Sequence, residues 1–237
     1  MDRILYASLV GSHMYAQVCT RPNIAFTVGM LGMYQNNPAK DHGKATKRVL
    51  RYLQGTKDYR LIYKQSDYLE VVGYSNSDFA GCVDSSKSTS EYIFLLTGEA
   101  VSWRSIKQTI VASSTTEAEF IACYETTSQG LWLKNFISGL QVVDLINRPL
   151  KIFNSAAVFF TKNNKSGSRN KHIDIKFLMV RDHVKKQEVI IGHINTKLMI
   201  VDPMTKGLSA KVFQDHAIHM GFNSSCYIIS IFLIICV

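Results

Sequence analysis

The chain has no Cys-x-x-Cys pair and no histidine cluster at zinc spacing. Its five cysteines (Cys19, Cys82, Cys123, Cys226 and Cys236) are odd in number and scattered. That pattern excludes a disulfide framework and the common zinc modules, and it fits reduced thiols in an intracellular compartment, cytoplasmic or nuclear. The N-terminus, MDRILYASLV, sets an acid beside its one arginine and lacks a long apolar run, so a secretory leader is not expected. Long apolar runs are scarce elsewhere too. The C-terminal CYIISIFLIICV has 12 residues, short of the roughly 20 that a spanning helix needs. We read this tail as a buried strand or an out-of-frame end and expect no membrane span; a membrane-attached product is the weaker alternative. Acids are in short supply, 18 Asp and Glu against 27 Lys and Arg, giving a net charge of +9. Two readings of that excess stay open, a soluble basic surface and a polyanionic partner, usually nucleic acid. Hydrophobic residues are not lacking: at 46% hydrophobic and 19% charged, the 237 residues can bury a core, which excludes global disorder.

The chain shows no internal repeat and no low-complexity tract, and it divides into three stretches. The first, up to about Leu69, is expected to be mainly helical. YASLVGSHMYAQV and NIAFTVGMLGMYQ are apolar at helical spacing and are separated by an Arg21-Pro22 turn. AKDHGKATKRVLRYLQGT sets Lys44, Lys47, Arg48 and Arg51 on polar faces and Val49, Leu50 and Leu53 inward, with Gly55 as the stop. From Glu70 the pattern changes to short β-rich runs, EVVGYS, EYIFLLTG, AVSWRS and QTIVAS, with Thr97-Gly98 as a hairpin turn. SSTTEAEFIACYETTSQGLWLKNFISGL then reads as a long helix. It opens with a capping box, either Ser114 with Glu117 or Thr116 with Glu119. Its expected inner face is Ala118, Ala122, Gln129, Trp132, Phe136 and Leu140. Trp103 and Trp132 are expected in the core. In the third stretch, PLKIF is a strand, SAAVFFTKN a short helix, NKSGSRNKHID a basic loop, IKFLMVRDHVKKQ a helix and EVIIGHIN a strand. LMIVDPMTKGL leads to a last helix. Three antiparallel strands extended by two more, with helices on the faces, make a mixed α/β sheet.

Acids sit at separated places that such a sheet can gather: Asp78 after its first strand, Glu117 and Glu119 at the start of the long helix, Asp202 before the last. Converging carboxylates are what a pair of magnesium ions requires, one metal activating water and the other stabilising the leaving oxygen. Acids at a helix start also serve the macrodipole, and Asp before Pro is an ordinary turn. Spacing alone leaves both readings open.

Longer blocks carry a resemblance. KSTSEYIFLLTGEAVSWRSIKQT, SSTTEAEFIA, NNKSGSRNKHIDIK and HINTKLMIVDPMTKGL closely resemble the ribonuclease H domain of copia-type retrotransposon Pol polyproteins. MYAQVCTRPNIAF and KRVLRYLQGTKDY resemble the end of the reverse transcriptase region upstream of it. The likeness runs from about Ser8 to Phe222. It implies an RNase H-like mixed five-stranded sheet flanked by helices in 70–222. Ahead of it would stand a mainly helical remnant of the reverse transcriptase thumb or connection region in 1–69, with an apolar tail in 223–237 behind. It also implies Mg2+-dependent cleavage of the RNA strand of an RNA–DNA hybrid, and no small-molecule substrate.

Matched residue by residue, the family's four acids fare unequally. Its Y-S-D-S-D-F-A-G strand appears here as YSNSDFAG, so Asn76 stands where the first catalytic Asp belongs and Asp78 is the second, non-catalytic one. The Glu falls on Glu119. The family's K-I-Y-C-D-N-S-A-A is KIFNSAA here and lacks the Cys-Asp pair after Phe153; Asn154 is left to move into that place, and it is neutral. The fourth acid falls on Asp202. Glu91 and Glu99 stand where the family usually has Gly, and both are expected by turns or strand edges.

Two carboxylates of four, Glu119 and Asp202, hold two dications poorly. Asp78 is the one further candidate ligand, about 6–7 Å along its strand from residue 76. Lost or severely impaired activity is therefore expected, with bound Mg2+ doubtful. A ribonuclease with rearranged metal ligands and a non-catalytic hybrid- or RNA-binding module are the alternatives. Removing two residues keeps a strand's in/out alternation, so the fold is expected to survive. Lys162, Lys165, Arg169, Lys171, His172 and Lys176 surround the basic loop, which is either a solvated run or a set of phosphate contacts.

Overall fold

A computed structural model describes residues 3–63, 69–81, 86–140, 148–154, 171–195 and 198–223. These fall into two compact units. One holds the described residues up to Tyr63 together with those from Asp202 onward, and the other holds those up to Val201 in between. The chain from Asp202 therefore groups with the N-terminal helices, whereas the sequence reading kept it with the sheet.

The first unit is built from helix α1 (Arg3–Cys19), a 3-10 turn (Pro22–Ile24), α2 (Ala25–Gly32) and α3 (Lys40–Gly55). Pro22 starts the turn and Gly55 is the last residue of α3, as the sequence indicates. Tyr6, Val10, Ile24, Val28, Leu31 and Val49 form the core, and the Tyr6 hydroxyl donates to the Leu31 carbonyl at 2.8 Å. Gly43, Thr46 and Val49 are the buried face of α3, and Leu50 is exposed, contrary to expectation. Leu50 follows Val49 by 100° of helix rotation, which carries it off that stripe. The short strand β1 (Arg60–Leu61) belongs to this unit too.

The second unit is the sheet. Strands β2 (Val71–Ser77), β3 (Thr89–Leu96) and β4 (Glu99–Lys107) form an antiparallel meander. Thr97 and Gly98 close its hairpin with positive φ, 54° and 97°, the pattern whose twist suits two-residue loops. After helix α4 (Thr115–Gly139), strand β5 (Leu150–Phe153) adds parallel to β2. Helix α5 (Lys171–Lys185) precedes β6 (Val189–Gly192), which is parallel to β5, so the order is β4-β3-β2-β5-β6. The expected QTIVAS strand is not one. The Gln108 N–H makes the last ladder bond, to the Ser88 carbonyl at 2.8 Å, its side-chain amide donates to Ser90 Oγ and the Ala118 carbonyl at 2.9 Å each, and the chain then turns into α4.

Helix α4 packs on one face of the sheet through Leu133 and Ile137 against Val71, Phe94, Leu150 and Ile152. Gly130 permits the close approach, since a β-carbon there would lie 2.8 Å from the Phe94 ring. Phe177 and Val180 of α5 meet Phe120 and Ile121 of α4. The expected α4 face is half right: Ala118 and Ala122 are buried, but Trp132, Phe136 and Leu140 are exposed. Trp132, 47% exposed, is no core residue; it stacks on Phe136 with centroids 5.4 Å apart. Glu91 is buried in the middle of β3, not at an edge or turn, and accepts from Ser105 Oγ of β4. Glu99 does lie at the hairpin turn, accepting from Thr97 Oγ1.

The chain then rejoins the first unit. Helices α6 (Asp202–Thr205) and α7 (Ala210–His219) lead to β7 (Phe222–Asn223), which pairs antiparallel with β1. Phe213 meets the Tyr52 ring edge-on, and the Arg21 guanidinium lies over Phe222. The expected helix SAAVFFTKN and the tail 226–237 lie outside the described residues.

Candidate active site

The first turn of α4 decides which of its acids is available. Ser114 is the N-cap, its Oγ accepting from the Glu117 N–H at 3.2 Å. The Glu117 carboxylate turns back to the Ser113 N–H and hydroxyl, both at 2.8 Å. Of the two capping boxes the sequence allows, the Ser114–Glu117 pair is used, and Glu119 is left to point elsewhere.

Glu119 points toward the strand ends. Asn154, the residue after β5, is fully buried, and its backbone N–H extends the ladder to the Gly192 carbonyl at 3.1 Å. Its side-chain Nδ2 donates to Glu119 Oε2 at 2.9 Å and to the Ser75 carbonyl of β2 at 3.3 Å. Three elements, β2, β5 and α4, thus meet at one amide. Asn154, which the sequence reading left to move into the place of the missing acid, lies beside Glu119. Alternation sets Asn76 on the face opposite Ser75, the face on which the Tyr74 and Phe153 rings meet at 5.4 Å. In the ladder Asn76 is opposite Glu91.

Asp78 has a different task. Its backbone N–H donates to the Thr89 carbonyl at 3.2 Å, and its carboxylate accepts from the Thr89 N–H. Burial raises its pKa, and the hydrogen bonds from Thr89 oppose that rise. A β-carbon at Gly81 would run into this same carboxylate, so Asp78 and Gly81 close the corner after β2 together. Asp202, buried at the start of α6 in the other unit, is paired with Lys206 Nζ at 2.7 Å.

Of the basic positions, Lys162, Lys165 and Arg169 lie outside the described residues. So do the side chains of Lys171 and His172, whose backbone opens α5. Lys176 holds its ammonium 4.8 Å over the Tyr124 ring. One acid that the sequence did not single out is Glu125 of α4. Burial raises its pKa, against a hydrogen bond from Ser90 and the charges of Lys176 and Arg104. No spacing marks it, because its partners come from three separate elements.

Magnesium takes hard and mostly anionic oxygen ligands. The carboxylate that meets Asn154 is that of Glu119, and an N–H already lies against its Oε2. These residues do not fit a pair of magnesium ions. Among the described residues, no three His, Cys, Asp or Glu side chains gather as a metal-ligand group.

A central antiparallel meander with two further strands parallel to its first, and a long helix crossing the face, is the RNase H-like fold. No family model matches the chain. The Pol polyprotein of transposon TNT 1-94 from Nicotiana tabacum is 39% identical over 216 residues, 90% of this chain and 16% of that polyprotein. The RE2 Pol polyprotein of Arabidopsis thaliana is 34% identical over 222 residues, 93% of this chain and 15% of its own length. The chain belongs to the copia-type retrotransposon Pol polyprotein family, and it spans about a sixth of the length of these relatives. A protein named secreted RxLR effector protein 161, from Plasmopara viticola, is 47% identical over 133 residues, 56% of this chain and 94% of that protein. Among solved structures, an LC11 RNase H1 in complex with RNA/DNA hybrid covers 55% of this chain and 88% of its own, at TM-score 0.39 and 14% identity. A foamy viral protease-reverse transcriptase in complex with dsDNA covers 68% of this chain and 30% of its own, at TM-score 0.45 and 8% identity. No helix among the described residues is long and apolar enough to cross a membrane.

Proposed function

We propose that this chain is a degenerate Pol segment. In this reading a reverse-transcriptase remnant, residues 1–69, stands ahead of an RNase H-like domain that has lost hybrid cleavage and still contacts nucleic acid inside the cell. The observation that carries it is the hydrogen bond from Asn154 to Glu119. It occupies the surviving family glutamate with a neutral donor at the end of the strand that lacks the family's Cys-Asp pair. Asn76 brings no charge to its place in the motif. Asp202 as the fourth acid rests on the likeness alone. Retention of binding is favoured by the net charge of +9 and the basic run around 162–176. The tail, 223–237, has no assigned role in this reading.

Incubation of purified chain with a labelled RNA–DNA hybrid and Mg2+ tests the first half. No cleavage is expected, and cleavage abolished by Glu119→Gln overturns the proposal. Asn76→Asp combined with reinsertion of Cys-Asp after Phe153 is expected to raise activity. Hybrid binding is expected to weaken steeply with salt, and Lys165→Gln with Arg169→Gln to flatten that dependence. Binding indifferent to salt removes the phosphate-contact role.

The rearranged-ligand alternative requires Asp78 to leave the Thr89 N–H and the Gly81 corner, which argues against it.

A further inference from the structure

We infer that Asn154 is a clasp. Its buried amide joins α4 to the ends of β2 and β5 through hydrogen bonds alone, so that this corner of the fold holds without a divalent cation. The inference deepens the reading above and rests on the same site, but it concerns what holds the site together.

The direction of the amide follows from its neighbours. The two groups that Nδ2 meets, Ser75 O and Glu119 Oε2, are acceptors only. Nδ2 carries two hydrogens and meets both; the reversed amide would set an oxygen against each. Full burial of Asn154 keeps bulk solvent from competing for the amide. A carboxylate at this position would oppose Glu119 oxygen to oxygen and require a cation or a shared proton between them. The amide requires neither. Asparagine, unlike an aspartate, thus makes this contact ion-independent, and it does so at the end of β5, where the Asn154 N–H also carries the ladder to Gly192. The clasp uses a backbone carbonyl on one side and a charged acceptor on the other, so losing the amide strands a buried carboxylate as well as a carbonyl.

Thermal melting of the full chain in EDTA and in millimolar Mg2+ tests the clasp without reference to activity. The wild-type Tm is expected to be the same in both. Asn154→Ala is expected to lower it by roughly 5–10 °C in both. Asn154→Asp is expected to lower it in EDTA and to regain much of the loss in Mg2+. Glu119→Gln, which keeps an acceptor for Nδ2, is expected to stay near wild type and indifferent to Mg2+. A wild-type Tm that rises with Mg2+, or an Asn154→Ala protein as stable as wild type, overturns the clasp. Should Asn154→Ala yield no folded protein, the wild-type and Glu119→Gln melts decide on their own. Hybrid cleavage by a wild type whose melting ignores Mg2+ would sink the proposed loss of activity and leave the clasp standing.

Discussion

The sheet unit and the helical unit each shut a polar side chain away from solvent, and they treat it differently. In the sheet unit, Asn154 sits at the edge of an apolar core led by Phe94, Leu150 and Ile152, and its amide meets two acceptors. In the helical unit, His13 is 2% exposed on α1, and neither ring nitrogen has a hydrogen-bond partner among the described residues. A buried polar group with partners contributes a modest net stability, whereas one without them carries its whole desolvation penalty. The comparison separates a polar residue that joins elements from one that the fold merely tolerates.

The largest expected effect tests whether the sheet unit depends on its apolar core. Phe94→Ala removes a fully buried ring from between α4 and the sheet and is expected to lower stability by ~3–5 kcal/mol in denaturant titration. A loss below half that would show that α4 can settle into the space. Next comes His13→Leu, for which the opposite sign is expected, a gain of ~1–3 kcal/mol, because it deletes an unmet polar group. Destabilisation there would mean that the ring has a partner in solution.

The pH dependence sharpens the same point. Burial lowers the pKa of His13 below its ordinary 6.5, so the folded state binds fewer protons than the unfolded one. This contribution to stability is therefore whole above pH 6.5 and is lost as pH falls toward the folded-state value. His216 is lowered by burial too, against an opposing pull from Asp202. Melting of His13→Leu is thus expected to be less acid-sensitive than that of the wild type, with the His216 part remaining. The smallest effect is Tyr6→Phe. It removes the hydroxyl that meets the Leu31 carbonyl and is expected to lower stability by ~1 kcal/mol. A gain instead would erase the distinction between Tyr6 and His13 within one core.

The meander, its two-residue turn, the start of α4 and the parallel strands β5 and β6 were legible in the sequence, because each has local chemistry: alternation, a Thr-Gly turn, a serine cap. The inner face of α4 was not. Only Ala118 and Ala122 of it were expected; Thr126 and Gly130 carry little hydropathic signal, and the buried Leu133 and Ile137 each stand one position from a large exposed ring. Trp132 and Phe136 on the other side are large enough to dominate any count. QTIVAS has strand composition, yet Gln108 makes the last ladder bond and its side chain ties the turn that follows to Ser90 and Ala118. At the candidate site, Glu119 and the neutral Asn154 were both singled out from the sequence, and they meet in a hydrogen bond. The sequence could not reveal the Ser75 carbonyl as the third member, because a backbone acceptor has no letter. The grouping of Asp202 with the N-terminal helices was equally illegible, since it depends on contacts between segments far apart in the chain.

The corner after β2 has a practical consequence. Asp78 and Gly81 are locked into one another and owe nothing to the identity of residue 76. A designer wishing to rework this strand inherits a finished mould: the bend is set, and residue 76 lies upstream of it. The same lock makes Asp78 a hinge pin, its carboxylate held on the Thr89 N–H at the bend.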